Sequence, residues 1–206
     1  MDWQRIIHFL PGVILGLTVH EFCHALCSFK LGDNTARDQG RLTLNPIKHI
    51  DLIGLLFIIF AGFGWAKPVQ FNPENLKNFR RDKAMIAAAG PLSNLVMGIL
   101  LALIFKMMYN SHNTESLSNF GITLINILYF AASINFGLFI FNLLPIPPLD
   151  GSHIVFSGLN ISIDTETKIR KLGLPILFLI LILQNHLGIP IIPIGLAVNF
   201  LMGFFM

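Results

Sequence analysis

Charge is scarce in this chain. Lys, Arg, Asp and Glu make up 12% of its 206 residues, against about 25% in soluble domains. With 54% hydrophobic residues and a mean hydropathy of +0.70, that deficit excludes an ordinary soluble protein and leaves no room for a separate soluble domain. The expectation is an all-α polytopic membrane protein in which residues 1–206 form a single domain in the lipid bilayer. Cysteine is nearly absent. Cys23 and Cys27 lie one helical turn apart, a spacing badly suited to a disulfide, so they do not report the redox compartment. No cleavable leader is expected either, because the first apolar run is long and lacks a small-residue cleavage site. The net charge of +3 comes from basic residues in short loops and gives no reason to expect a nucleic-acid partner. There is no internal repeat and no low-complexity stretch.

What is present is a series of apolar runs at 6–29, 84–108, 120–143 and 172–206. The last is long enough to turn back near Asn185–Gly188 or at Pro190 and Pro193. A weaker run at 50–63 is short for a span. Together they predict about five or six membrane segments. If 6–29 enters from outside and 50–63 is re-entrant, Lys30, Arg37, Arg41, Lys48, Lys67, Lys77, Arg80, Arg81, Lys83, Lys168, Arg170 and Lys171 all face the cytoplasm. Only Arg5 and Lys106 then face out of the 14 basic residues, which obeys the positive-inside rule. The expected location is a multi-pass cell-membrane protein with its site toward the cytoplasm. Arg41–Asn45 alternates like a short strand ended by Pro46, and the glycine-rich 62–71 stretch reads as a hairpin or loop near the site.

His20-Glu21-Phe22-Cys23-His24 sits inside the first apolar run. Its flanks, Ile6 to Val19 and Ala25 to Phe29, give about 24 residues at 1.5 Å each, a bilayer's thickness. On a helix His20 and His24 are about 40° apart and share a face, while Glu21 is offset by about 100°. Two neutral imidazoles can hold one zinc. The carboxylate beside them can serve as a general base without being a ligand. Three polar groups in hydrocarbon are costly unless they have such a role.

A third ligand must come from elsewhere. Asn142-Leu-Leu-Pro-Ile-Pro-Pro-Leu-Asp-Gly151 breaks its helix with three prolines. Such backbone is tolerated at membrane depth only where protein or a wet cavity satisfies it. Asp150 is then either a ligand or the cap of the next helix. Cys27, about 20° off the His20 stripe, is the rival, though it sits about a turn too far along. His153 is one turn beyond Asp150, and its role stays open. His8 reads as interfacial, and His49, His112 and His186 as solvated ends or loops. Asn142 is a candidate to donate to a developing oxyanion. Asn94, in Ala89-Gly-Pro-Leu-Ser-Asn94, reads first as a polar contact between helices.

These elements together resemble the site-2 protease family of intramembrane zinc metalloproteases, from about Val19 to Ile154. The zinc motif is joined by Asn-x-x-Pro-x-Pro-x-Leu-Asp-Gly at 142–151, Ala-Gly-Pro-Leu-Ser-Asn at 89–94, Gly-Arg-Leu-Thr-Leu-Asn-Pro at 40–46 and Gly-Phe-Gly-Trp-Ala-Lys-Pro-Val at 62–69. The last two are similar to the small prokaryotic branch that lacks PDZ and CBS domains. The resemblance implies that His20, His24 and Asp150 bind one zinc ion, that Glu21 is the catalytic base and that Asn142 acts beside it. It also implies a substrate that is itself a transmembrane segment, unwound before it is cut. Leu52 follows Asp51 where relatives often have proline, and His153 stands where they often carry a basic residue.

The expected chemistry is water attack on a peptide carbonyl, in regulated intramembrane proteolysis or in clearing signal-peptide remnants, with gating by a regulatory membrane protein or a prior cut. The competing class is non-catalytic: an inactive client-binding homologue or a metal-binding transporter. Neither needs Glu21.

Overall fold

The computed structural model describes residues 3–111, 118–187 and 191–206. His112, the side chains of Arg5 and His186, and 188–190 of the expected reversal lie outside the described residues. Among the described residues there are eight α-helices: α1 Trp3–Lys30, α2 Thr35–Asp38, α3 Leu52–Ala61, α4 Phe79–Ser111, α5 Asn119–Asn142, α6 Asp150–Gly158, α7 Ile163–Leu187 and α8 Ile194–Gly203. Helices are what apolar segments must form where no water satisfies the backbone. Pro11, Pro91 and Pro175 sit inside α1, α4 and α7 without ending them.

Among the described residues, three segments have the length and apolarity to cross a membrane: Ile6–Lys30, Phe79–Ser111 and Asn119–Asn142. They match three of the five or six expected segments in length and composition. α3 and α8 have 10 residues each, about 15 Å of helix and half of a hydrocarbon core. The long run at 172–206 therefore divides between α7 and α8. α1, α4 and α5 pack on one another, α6 packs on α4, and α8 packs on α5. Ala102, Ala132, Phe136 and Met202 close the core where α4, α5 and α8 meet. Leu15 of α1 and Ile99, Leu103 and Ile104 of α4 remain exposed, as expected of lipid-facing positions.

The strand expected at Arg41–Asn45 does not form, because the chain bends at Leu42 and Thr43. The expected hairpin at 62–71 contributes one antiparallel bridge, between Ile50 and Ala66. Side chains meet the backbone here in place of a ladder. Arg41 Nη1 donates to the Pro68 carbonyl at 3.3 Å and Nη2 donates to that of Lys67. His49 Nε2 reaches the Thr43 carbonyl at 2.7 Å. His49 is fully buried, which corrects the solvated reading. Lys67 N–H donates to the His49 carbonyl at 2.7 Å. The 50–66 excursion thus ends beside the point where it began. Asp51 caps α3 by accepting from Gly54 N–H at 2.8 Å.

Asp33 anchors the segments that follow α1. It is fully buried and accepts from Ser28 Oγ at 2.8 Å, Thr35 Oγ1 at 2.6 Å, Thr35 N–H at 3.1 Å, Asn72 N–H at 3.0 Å and Asn75 Nδ2 at 2.7 Å. Burial pushes its pKa up, but donors from Thr35, Asn75, Asn72 and Ser28 outweigh it and hold the carboxyl at about 2.

Candidate metal centre and carboxylate base

One turn of α1 carries His20, Glu21 and His24, each buried at 5 to 8% exposure. The two rings meet edge to face, with Nε2 atoms 3.0 Å apart. Asp150 opens α6 and brings Oδ2 to 3.1 Å from His20 Nε2 and 3.4 Å from His24 Nε2. Asp150 does not cap α6, since Leu149 holds the cap position.

Gly151 is what allows this return. A Cβ there would fall 2.2 Å from the Leu143 carbonyl oxygen and 2.5 Å from that of Leu144. The proline-broken linker folds flat against the start of α6, and only a residue without a side chain fits between them.

The donor set suits a cation. His24 Nδ1 lies 2.7 Å from the Ile86 carbonyl oxygen. A carbonyl can only accept, so Nδ1 carries the hydrogen and Nε2 presents a lone pair. His20 Nδ1 lies 2.6 Å from Asn94 Oδ1. Asp150 Oδ2 is buried without a hydrogen-bond donor. Lone pairs and a carboxylate aimed at one another repel in an apolar interior, and a shared cation removes that repulsion. Space exists for it: a Cβ on Gly90 would lie 2.4 Å from His24 Nε2 and 2.6 Å from His20 Nε2. Among the described residues, His20, His24 and Asp150 are the group with metal-ligating atoms within 4.8 Å of one another.

Cys27 is outside that group. It lines, with Cys23, Leu26, Leu92 and Val96, an apolar groove of about 570 Å³ between α1 and α4. His153 turns toward α7, where its Nε2 accepts from Arg170 Nη2 at 2.7 Å and its Nδ1 is 3.7 Å from Glu166. Lys83 pairs with the same Glu166 at 2.5 Å, joining the start of α4 to that of α7. His8 stacks on Phe130. Asn142 ends α5 and donates one amide hydrogen to the Leu138 carbonyl at 3.0 Å. The structure thus gathers His20, His24 and Asp150, with Glu21 on the same turn of α1, and gives Asn142 a partner in its own helix.

Glu21 Oε2 accepts from Val69 N–H at 2.9 Å. The Lys67 and Pro68 carbonyls just before Val69 are the two that Arg41 grips. Arg41 enters the sequence reading through its charge, the expected 41–45 strand and the 40–46 motif, none of which assigns its side chain a partner, and a main-chain donor such as Val69 N–H leaves no signal in sequence. Asn94 was legible as a buried amide, though not as the partner of His20.

A family model described as Peptidase family M50 matches residues 112–184, which include the 142–151 motif but not His20–His24. The relative named "Putative zinc metalloprotease YwhC", from Bacillus subtilis, is 42% identical over 143 residues, covering 69% of this chain and 65% of that protein. A relative from Mycolicibacterium smegmatis, described in the same words and named Rip2, is 30% identical over 164 residues, covering 77% of this chain and 58% of its own. Rip2 of Mycobacterium tuberculosis is 28% identical over 148 residues, with coverage of 69% and 53%. The chain therefore spans between half and two thirds of the length of these relatives. No solved structure matches.

Proposed function

The chain belongs to peptidase family M50, and from that premise we propose that it is a zinc-dependent endopeptidase that cuts within or beside a transmembrane segment of another membrane protein. The observation that carries this reading is the convergence of His20 Nε2, His24 Nε2 and Asp150 Oδ2 on a space lined by Gly90, with Glu21 on the same helical turn. These three side chains would hold one zinc ion per chain. When bound, zinc would polarise the scissile carbonyl and make water nucleophilic at neutral pH.

The other parts fall to the chain itself. Val69 N–H holds Glu21 Oε2, leaving Oε1 to take the proton of the attacking water and deliver it to the leaving amine. Asn142 has a second amide hydrogen for the developing oxyanion. A helical substrate hides its carbonyls in its own hydrogen bonds, so it must be extended at the cut. The 62–69 stretch beside Glu21 is suited to hold it through main-chain contacts.

Residues 1–206 act as one membrane domain in this reading, because the ligands come from α1 and α6. The site opens toward the cytoplasm. The bias of basic residues supports that orientation, as does the excursion through α3, which keeps Lys48 and Lys67 beside one another. We read 50–63 as re-entrant for the same reason. Cleavage gated by a partner membrane protein or by a prior cut fits this arrangement, in signalling or in clearance of signal-peptide remnants.

Glu21→Gln tests the proposal directly. The variant is expected to keep zinc and lose cleavage of single-span reporter segments in proteoliposomes. Undiminished cleavage would remove Glu21 as the base. Absence of zinc from the wild type would remove the enzyme reading itself.

A further inference from the structure

We propose that Asn135, in the middle of α5, fixes through Asn94 which nitrogen of His20 carries hydrogen, and so acts with Asn94 as a positioning residue for the metal donors. The inference rests on the zinc reading above and adds to it a second helix and a second amide.

Asn94 and Asn135 are both fully buried. The oxygen and nitrogen of an amide are distinguished only by their partners. On one side Asn94 faces His20 Nδ1 at 2.6 Å. On the other it faces two oxygens, the Gly16 carbonyl and Asn135 Oδ1, each at 3.0 Å. Turning the Asn94 amide around would set its oxygen against both. Asn135 is itself fixed, because its nitrogen donates to the Ala131 carbonyl at 2.8 Å. A main-chain carbonyl can only accept, so the polarity runs one way from Ala131 through Asn135 and Asn94 to His20. Asn94 therefore presents oxygen, His20 Nδ1 must carry the hydrogen, and His20 Nε2 is left bare toward His24 and Asp150.

Gly16 lets the network pass between α1 and α5. A Cβ there would fall 3.1 Å from Asn135 Oδ1 and 2.8 Å from Leu138 Cδ1. A purely adhesive amide would be indifferent to which end faced His20. This one is held in a single sense by oxygens on α1 and α5.

The test uses the full chain in detergent, with zinc affinity measured by competition against a chromophoric chelator. The cobalt(II) absorption band reports donor geometry, and the thermal midpoint reports folding. Ligand-orienting partners are commonly worth about 10- to 100-fold in metal affinity. Asn135→Leu is expected to fold and to bind zinc about tenfold more weakly, and Asn94→Leu to fall further within that range. A hydroxyl at 135 can donate to the Ala131 carbonyl and still offer Asn94 an oxygen. Asn135→Thr is therefore expected to keep most of the affinity and the cobalt spectrum, while Asn135→Val, alike in shape, weakens binding as Asn135→Leu does.

Should Asn135→Leu fail to fold, the isosteric pair Asn135→Thr and Asn135→Val replaces it, and equal affinity in those two overturns the relay. Wild-type affinity in a folded Asn135→Leu overturns it as well. So does equal weakening of Asn135→Leu and Asn135→Thr, which would reduce Asn135 to packing. A wild type that binds no zinc would bring down the metal reading and the relay together, an outcome distinct from these.

Discussion

Gly90→Ala is the smallest change that separates metal binding from folding. The added methyl would stand 2.4 Å from His24 Nε2, 2.6 Å from His20 Nε2 and 2.6 Å from His24 Cε1, where real Cβ contacts do not fall below 3.0 Å. Neither imidazole is the loose end of a flexible chain, since Ile86 and Asn94 hold their Nδ1 atoms. His24 Nε2 must therefore retreat by about 0.6 Å, against a tolerance of roughly 0.2 Å in metal–ligand distances. The expected result is loss of zinc, seen as metal per chain and as absence of the cobalt(II) band. Stability should change far less. Crowding a packed site costs about 1–3 kcal/mol, and alanine in a helix gains about 1 kcal/mol over glycine. The net loss is then between roughly zero and 2 kcal/mol. Gly158→Ala is the control, because a Cβ there meets nothing within 4 Å and zinc should stay. Gly90→Ala protein that keeps stoichiometric zinc at wild-type affinity would refute the placement of the metal between these rings.

Other substitutions divide the site further. Asp150→Ala should lose or sharply weaken zinc while Cys27→Ala keeps it; the reverse, read as zinc per purified chain, would return the third-ligand role to Cys27. Arg41→Gln should leave zinc in place and lower cleavage about 10- to 100-fold, since charged hydrogen bonds are worth about 1.5–3 kcal/mol and each 1.4 kcal/mol is tenfold in rate. Zinc loss in that variant would show that the 67–69 segment supports the metal rather than Glu21. Asp33 sets an acid limit. Its folded pKa, about 2, lies below the ordinary 3.8, so its contribution to stability is complete above the ordinary value and is lost as pH falls toward 2. Thermal midpoints of Asp33→Asn should therefore be lower at neutral pH and vary less through that acid window; matching pH curves for the two proteins would remove Asp33 as the anchor.

The chemistry was more legible in sequence than the connections around it. His20, Glu21 and His24 advertise themselves as polar residues at helical spacing in an apolar run, and three prolines before Asp150 mark a broken helix at depth. Polar groups in hydrocarbon are costly, which makes them visible. The strand at 41–45 misled because alternation reports only which residues point together. It does not reveal that Arg41 and His49 turn inward to bind carbonyls. Gly12 and Gly16 carry the small-residue spacing of a close helix crossing, and a Cβ on Gly12 would fall 2.6 Å from Ala131 Cα. The partnership of His20, Asn94 and Asn135 joins residues far apart in the chain, and no local pattern encodes it.

Val69 N–H on Glu21 has an evolutionary consequence. The contact belongs to the backbone, so the genetic code specifies it almost everywhere by default. Nearly any residue at position 69 could be inherited without breaking it, and drift there would be silent to Glu21. Proline is the exception, because it alone lacks the hydrogen. A lineage could therefore vary the side chain at 69 to suit new substrates, while a single codon class would be closed to it.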